Sequence, residues 1–380
     1  MEPAKSDLSH VTVAVGLSGG VDSAVAALLL KQQGYRVLGV FMKNWDEPDS
    51  PYCTSESDAR DVAQLCSKLD IELVTLNFVK EYQEQVFKSF IEAYHLGHTP
   101  NPDVLCNQEI KFNAFYKACR EMGADKIATG HYAGVSQDGV LLKAKDQAKD
   151  QTYFLYRSPK EALSNTLFPL ASLTKTEVRE LALKHGLHVH KKKDSTGVCF
   201  IGERPFNEFL KNYVKSNPGP MVDLVSGQVV GQHTGLPFYT LGQRKGMGLG
   251  GEGKPYFVVK KDLASNALFV VRGDDHPALY ATHVTASDLS LLKDYAFNTP
   301  YLMSAKVRYR QPEQSCTVFF TKDNRVRVIF SQPQRAVTPG QSLVLYEGDS
   351  CVGGGIITNA ESLESAAESQ TAWIPETPTL

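Results

Sequence analysis

The chain has 380 residues, 42% of them hydrophobic, and a formal charge of -2, which supplies two or three packed domains and no overall basic field. Nucleic-acid binding must therefore come from local patches, and no run approaches the ~18 apolar residues of a membrane span. The opening MEPAKSDLSH lacks the apolar core of a secretion signal, so a cytoplasmic protein with no membrane association is expected. Seven cysteines, an odd number, argue against a disulfide scaffold and leave room for one redox or metal role.

Residues 11–42 read as a strand (VTVAVGL), a turn, a helix from about Ser23 to Gln33 stopped by Gly34, and a second strand (RVLGVFM). A polar stretch leads to a helix near 56–69, an IELVTLNF strand, helices near 80–95 and 108–122, and a KIATGH strand. This alternation predicts an α/β domain with a parallel sheet covered on both faces. Thr174 and Glu177 form a Thr-x-x-Glu capping box for a helix ending before Gly186. After about residue 205 short β-like runs separated by glycine and proline take over, including the loop LGQRKGMGLGGEGKP at 241–255. A small β-rich central domain is expected there. From about residue 285, KVRYRQ, SCTVFF, RVRVIF and QSLVLYEG predict a C-terminal antiparallel β-barrel. The acidic end of the chain, without Lys or Arg, reads as a disordered tail.

The turn GLSGGVDS has the layout of a phosphate cradle without a Walker lysine. Gly16, Gly19 and Gly20 let the backbone approach an anion, and Ser18 and Ser23 add hydroxyls at a helix N-terminus, with Leu17 and Val21 completing the turn. Asp22 is a candidate Mg²⁺ ligand, because magnesium takes one or two carboxylates together with phosphate oxygens. Met42 and Gly130 end strands at the carboxyl edge of the sheet, where Met42 would pack on adenine and Gly130 admit the ribose.

Two cysteines stand in chemically marked settings. Cys106 is placed just before a helix whose apolar positions include Ile110, Ala114, Phe115, Ala118 and Met122, and a helix N-terminus favours thiolate. Cys199 follows a Thr-Gly turn and the basic run Lys191 to Lys193. Cys66 and Cys119 fall inside amphipathic helices as buried hydrophobes, and Cys53, Cys316 and Cys351 are assigned to structure. The separation of Cys106 and Cys199 in sequence does not by itself bring them together.

Ser-Gly-Gly-Val-Asp-Ser after a strand resembles the PP-loop of the ATP pyrophosphatases, which release pyrophosphate and so need a cradle for that leaving group. GLSGGVDSA, FMKNW, TPNPDVLCN, ATGHY, KDQTYFLY, KKKDSTGVCFIGE, TLGQRKG and TPGQ together resemble, in order and wording, the bacterial tRNA-specific 2-thiouridylases. The resemblance implies a PP-loop (adenine nucleotide alpha hydrolase-like) catalytic domain over 1–205, a central domain over 206–284, a tRNA-contacting barrel over 285–362 and a tail over 363–380. It implies a tRNA-uridine 2-sulfurtransferase using ATP, Mg²⁺ and persulfide sulfur from a donor protein, a sulfur-relay protein or a cysteine desulfurase. The substrates implied are the wobble-uridine tRNAs for Lys, Glu and Gln. By motif, Cys199 would carry the persulfide, Cys106 would be its partner nucleophile, the two forming a transient disulfide, and Asp103 would be the acid/base residue. Released sulfide and direct attack by the persulfide both remain open. Asn101 and Pro102 would join Asp103 around a flipped-out base, and His131, Lys149, Asp150, Gln151, Arg308, Tyr309 and Gln341 would contact tRNA.

Strand alternation in KVRYRQ predicts Lys306, Arg308 and Arg310 on one face with Val307 and Tyr309 on the other. Rival readings are another AMP-forming enzyme with the same loop, an iron-sulfur cluster held by Asp103, Cys106 and Cys199, and a non-catalytic tRNA-binding module.

Overall fold

The computed structural model describes residues 8–47, 55–193 and 205–363 and divides the chain into two compact units. The first comprises Met1–Ser89, Pro102–Pro205 and Asp349–Val352; the second comprises Phe90–Asn101, Phe206–Gly348 and Gly353–Leu380. Among the described residues no helix is long and apolar enough to cross a membrane.

In the first unit, β1 (Thr12–Leu17) is buried over its last five residues and lies between β2 (Arg36–Lys43) and β4 (Lys126–Ala128), parallel to both. A parallel strand covered on both faces is necessarily an unbroken apolar run, which is how VAVGL reads. With β3 (Glu72–Asn77) and β7 (Thr166–Leu167) the sheet order is β3-β2-β1-β4-β7, all parallel. The order reverses direction at β1, so the carboxyl end of β1 opens onto the crevice where such sheets bind ligands.

Between β1 and β2 runs α1 (Val21–Gln32), buried at Val21, Ser23 to Leu28 and Leu30, as a helix apolar nearly all round must be. It packs with α9 (Lys175–Lys184) into one core that includes Val25, Leu30, Val178 and Ala182. The capping box of α9 is formed: Thr174 Oγ1 accepts from the Glu177 amide at 3.2 Å while the Thr174 amide donates back to Glu177 at 2.6 Å. On the other face α2 (Ser55–Leu69) places Cys66 beside Gly39, where an added Cβ would meet Cys66 Sγ and Leu17 Cδ1 at 2.9 Å. Cys66 is a packing sulfur, as its helical position suggests.

Two helical runs depart from the expected periodicity. The first consists of α3 (Val79–Glu81), a π-helix over Tyr82–Phe87 and α4 (Lys88–His95). The second consists of α5 (Pro102–Leu105), a π-helix over Cys106–Ala114 and α6 (Phe115–Glu121). A hairpin of β5 (Gly134–Val135) and β6 (Leu141–Leu142) pairs with Ser350 and Cys351, and α7 (Thr152–Leu155) and α8 (Lys160–Ser164) follow it.

The second unit contains α10 (Phe206–Lys211) and a sheet of β8 (Gly219–Asp223), β9 (Val229–His233), β10 (Tyr256–Asp262) and β11 (Ala267–Arg272), in the order β10-β11-β8-β9. Two antiparallel hairpins meet there through the parallel pair β8 and β11. Then β12 (Tyr280–Leu291), β13 (Pro300–Lys306), β14 (Gln314–Thr321), β15 (Arg325–Arg335), β16 (Ser342–Glu347) and β17 (Ser350–Ser362) form an antiparallel barrel, closed where β17 returns to β12. The barrel's first strand starts at Tyr280, five residues before the expected point. Buried and exposed positions alternate along β14 and β15, as inward and outward residues of a small barrel must.

Candidate active site

Residues 18–20 form the turn at the carboxyl end of β1. Gly19 has φ +73°, a left-handed conformation that favours glycine, and a Cβ there would lie 3.0 Å from the Asp58 backbone. The Ser18 amide donates to Ser23 Oγ at 3.2 Å, and Ser23 Oγ donates to Gly20 O at 3.2 Å, tightening the loop onto the first turn of α1. No side chain caps α1 at Gly20, so the first-turn amides keep their capacity to bind an anion. Met42 lies across the base of the loop, its Cε 3.1 Å from where a Gly16 Cβ would be. Gly130 faces α1: a Cβ there would meet Ser23 N at 2.6 Å and Asp22 C at 2.7 Å. Close backbone packing is thus a sufficient reason for this glycine, whatever it admits besides.

The lysine missing from the turn arrives from another helix. Lys175, the first residue of α9, donates to both carboxylate oxygens of Asp22 at 2.7 and 2.8 Å, and Tyr132 OH donates to Asp22 Oδ1 at 3.0 Å. Asp22 therefore presents a carboxylate already bound to an ammonium, and this donor set does not fit a magnesium ion held by the protein. Nearby, Lys192 binds Asp58 at 2.8 Å and Asp61 at 2.5 Å. Desolvation works against its charge, yet the two carboxylates outweigh it and raise its pKa. Of the basic run expected to favour a thiolate at Cys199, Lys192 thus has its charge paired. Cys199 itself, like Cys53, lies outside the described residues.

The helix carrying the second cluster begins earlier than its periodicity suggests. Pro102 opens α5, so Cys106 lies a turn inside the helical run rather than at its N-terminus, and Asp103 takes the first-turn position. Asp103 and Cys106, three apart, share a face. From Cys106 to Ala114 the chain is a π-helix, with a wider turn than an α-helix. The widened turn also explains the apolar pattern: Ile110, Phe112, Phe115 and Cys119 are buried, while Met122 is exposed. Cys106 is buried, and Asn107 beside it donates to Phe154 O at 3.0 Å, with its Oδ1 buried and without a hydrogen-bond partner.

Lys111 Nζ lies 3.4 Å from His131 Nε2, and His131 Nδ1 lies 2.8 Å from Thr129 Oγ1. Desolvation and the Lys111 charge push the imidazole well below its ordinary pKa, so the ring is neutral at physiological pH. Since an ammonium only donates, Nε2 is the acceptor and Nδ1 carries the proton toward Thr129. Asp103 is exposed, yet desolvation by the surrounding protein raises its pKa, and the Lys111 charge opposes that rise.

The remaining expected contacts are distributed over both units. Asp150 is buried, accepting from the Ala144 amide at 3.0 Å and from Thr152 Oγ1 at 2.6 Å, and Gln151 Oε1 accepts from the Tyr132 amide at 2.9 Å. Gln151 thus holds the loop that carries Tyr132, Asp150 ties Ala144 to Thr152, and Lys149 beside them is half-buried. Asn101 belongs to the second unit, while Pro102 and Asp103 belong to the first.

In the second unit the expected alternation over KVRYRQ does not hold, because β13 ends at Lys306 and the chain bends. Lys306 is buried with its Nζ 5.5 Å from the Tyr346 ring centre. Arg308 Nη2 donates to Leu241 O, Ala336 O and Thr338 Oγ1 at 2.8 to 3.1 Å, tying the glycine-rich loop to the barrel, and Tyr309 occupies the turn that follows. Gln341 Nε2 donates to Thr99 O at 2.7 Å, and Gly340, φ +91°, would place a Cβ 2.8 Å from His98. The TPGQ turn thus grips the segment leading into Asn101.

Sequence reading missed Lys175, Tyr132, Asn107 and Lys111. Lys175 is signalled only by its place next to the capping Thr174. Lys111 carries no signal in the sequence that it meets His131.

Three family models match the chain in succession: the tRNA methyl transferase HUP domain over residues 11–203, its PRC-barrel domain over 207–272, and an aminomethyltransferase beta-barrel domain over 281–357. The chain is 53% identical over 359 residues to the tRNA-specific 2-thiouridylase MnmA of Cupriavidus metallidurans, covering 92% of this chain and 100% of that one. It is 52% identical over 356 residues to the enzyme of that name from Nitrosomonas eutropha, covering 92% and 98%. With that of Halalkalibacterium halodurans it shares 50% over 361 residues, covering 94% and 97%. With similarity of this extent running through both units, the chain belongs to the tRNA-specific 2-thiouridylase family.

Proposed function

We propose that this chain catalyses ATP-dependent 2-thiolation of the wobble uridine of tRNA, with the tRNAs for Lys, Glu and Gln as substrates. The observation that carries the reading is the identity of about half of all residues with 2-thiouridylases over their whole length. The uracil 2-oxygen attacks the α-phosphorus of ATP, pyrophosphate leaves into the Ser18 to Ser23 turn, and the N3 proton passes to the Asp103 carboxylate. Adenylation makes the 2-oxygen a leaving group, so sulfur can add at C2 and expel AMP.

The sulfur comes from a persulfide on Cys199, charged by a sulfur-relay protein or a cysteine desulfurase. Cys106 either attacks that persulfide and releases sulfide, or resolves it after direct attack; both end in a Cys106–Cys199 disulfide and need a thiol reductant between turnovers. A magnesium ion brought with the nucleotide would offset phosphate charge, and no step here depends on a protein-held ion. Lys175 supplies the cation that the loop itself lacks. Asn101, Pro102, His131, Lys149, Asp150, Gln151, Arg308, Tyr309 and Gln341 are assigned to the tRNA face, in the case of Asp150, Gln151 and Gln341 by holding the backbone that tRNA meets.

The test is mass spectrometry of tRNA nucleosides after incubation with ATP, Mg²⁺ and a persulfide source. A uridine gaining the mass of an oxygen-to-sulfur exchange, lost in Cys199→Ser with ATP binding retained, is expected. Full activity in that variant removes the persulfide scheme, and loss of activity on iron removal transfers the chemistry to a cluster.

A further inference from the structure

We infer that Lys192 is a positioning residue for the nucleotide: its ammonium neutralises and holds Asp58, the carboxylate that the fold sets against Gly19 in the turn after β1. The inference rests on the reading of that turn as the place where ATP puts its phosphates, and adds what lets an anion settle there. A Cβ built on Gly19 would lie 3.0 Å from Asp58 Cα, 3.1 Å from its carbonyl oxygen and 3.1 Å from its Oδ1. That same Oδ1 accepts from Lys192 Nζ at 2.8 Å. A single carboxylate oxygen therefore joins the turn to the ammonium.

Asp58 has its own reasons for being there. It stands in the first turn of α2, where the helix dipole favours a carboxylate, and its backbone is the surface on which Gly19 rests. Left alone, that carboxylate would meet an incoming triphosphate with like charge, and a partly buried charge is screened less than an exposed one. Lys192 removes the conflict. Desolvation works against the ammonium, but Asp58 and Asp61 more than restore it. Asp61, which shares the ammonium, lies three residues further along α2 and has His188 Nε2 at 3.4 Å.

The lysine is delivered by a fixed backbone. Arg179, one turn into α9, donates from Nη1 to His190 O at 3.0 Å and to Lys192 O at 3.3 Å. The 3₁₀-helix over His188–Lys191 packs on α1, α2 and α9, with Val189 buried in the core they share. Of the run Lys191 to Lys193 the outer two side chains are exposed, and the middle one is turned onto α2. The same α9 presents Lys175 to Asp22. One helix thus brings a counter-charge to a carboxylate in α1 and fastens the segment that brings another to α2.

The experiment measures ATP affinity by isothermal titration calorimetry, with magnesium present, in wild type, Lys192→Met, Lys192→Arg and a double variant carrying Lys192→Met and Asp58→Asn. Lys192→Met is expected to weaken ATP binding about tenfold or more, because it bares a negative charge beside the triphosphate. Asp58→Asn in the same chain keeps the side-chain shape, removes the charge and is expected to restore affinity to within about threefold of wild type, with Lys192→Arg in the same range. Wild-type affinity in Lys192→Met overturns the inference. So does a double variant that binds as weakly as the single one, because the lysine then acts on the nucleotide directly or only through folding. Should Lys192→Met not fold, Lys192→Gln replaces it in both variants under the same criteria. The calorimetry needs neither tRNA nor a sulfur donor, so a protein that shows the expected pattern yet leaves tRNA unthiolated refutes the proposed function and upholds the role of Lys192.

Discussion

Replacing Gly130 with alanine adds a single methyl group at the point where β4 hands over to the loop before Tyr132, and the structure specifies what that methyl meets. Its carbon would lie 2.6 Å from Ser23 N, 2.7 Å from Asp22 C and 2.9 Å from Ser23 Cα, all of them backbone or backbone-attached atoms of the first turn of α1. Ordinary contact begins near 3.4 Å, so the helix start must recede by roughly 0.8 Å. No side-chain rotation relieves the clash. Overpacking of this kind costs about 1–3 kcal/mol, and at about 2–4 °C per kcal/mol it lowers the melting temperature by several degrees. The same displacement moves the Asp22 and Ser23 amides away from the turn and strains the Ser18 to Ser23 hydrogen bond. ATP affinity, measured by isothermal titration calorimetry, is therefore expected to fall about tenfold or more. Gly250→Ala is the control, since a Cβ there meets nothing within 4 Å and the residue has no positive φ. If Gly130→Ala melts and binds ATP as wild type does, the reasoning that this glycine seats the phosphate turn is refuted.

Lys175→Met leaves the Asp22 carboxylate without its cation, with only the Tyr132 hydroxyl on it, beside the turn after β1, where its charge repels the ligand. ATP affinity should drop about tenfold or more, with Lys175→Arg intermediate, and calorimetry showing no change would remove Lys175 from the site. Lys261, whose Nζ reaches Gly97 O at 3.1 Å, is pulled by desolvation from 10.5 down to about 8. Between about pH 8 and 10.5 the folded state binds fewer protons here than the unfolded state, so this residue adds stability as pH rises through that window and withholds it below. Urea unfolding of wild type against Lys261→Met should show that extra rise only in wild type; parallel curves would contradict it.

The βαβ start, the glycine turn after β1 and the capping box were legible because their causes are local. An apolar run followed by glycines and a second apolar run can be satisfied in few ways, and Thr174 with Glu177 closes a box within four residues. The barrel was legible in kind from the alternation in SCTVFF and RVRVIF, though its first strand began earlier than the pattern indicated. The alternation read into KVRYRQ failed because the strand stops at Lys306 and Arg308 is claimed by carbonyls far away in sequence. Local pattern carries no information about where a strand loses its neighbour.

The helix holding Asp103 and Cys106 shows the division most clearly. Residue types and wording marked both side chains as chemically important before any fold was known, while a 3.6-residue period misplaced the helix start and left Lys111 unnoticed. What the sequence by itself determined was the inventory: a glycine turn between a strand and a helix, a carboxylate three residues from a thiol, and strands enough for a sheet and a barrel. What only the tertiary structure decided was which charges meet, Lys175 with Asp22 and Lys111 with His131. Such pairings join residues 153 and 20 positions apart, and their existence depends on helix packing and ladder geometry that no short window of residues contains.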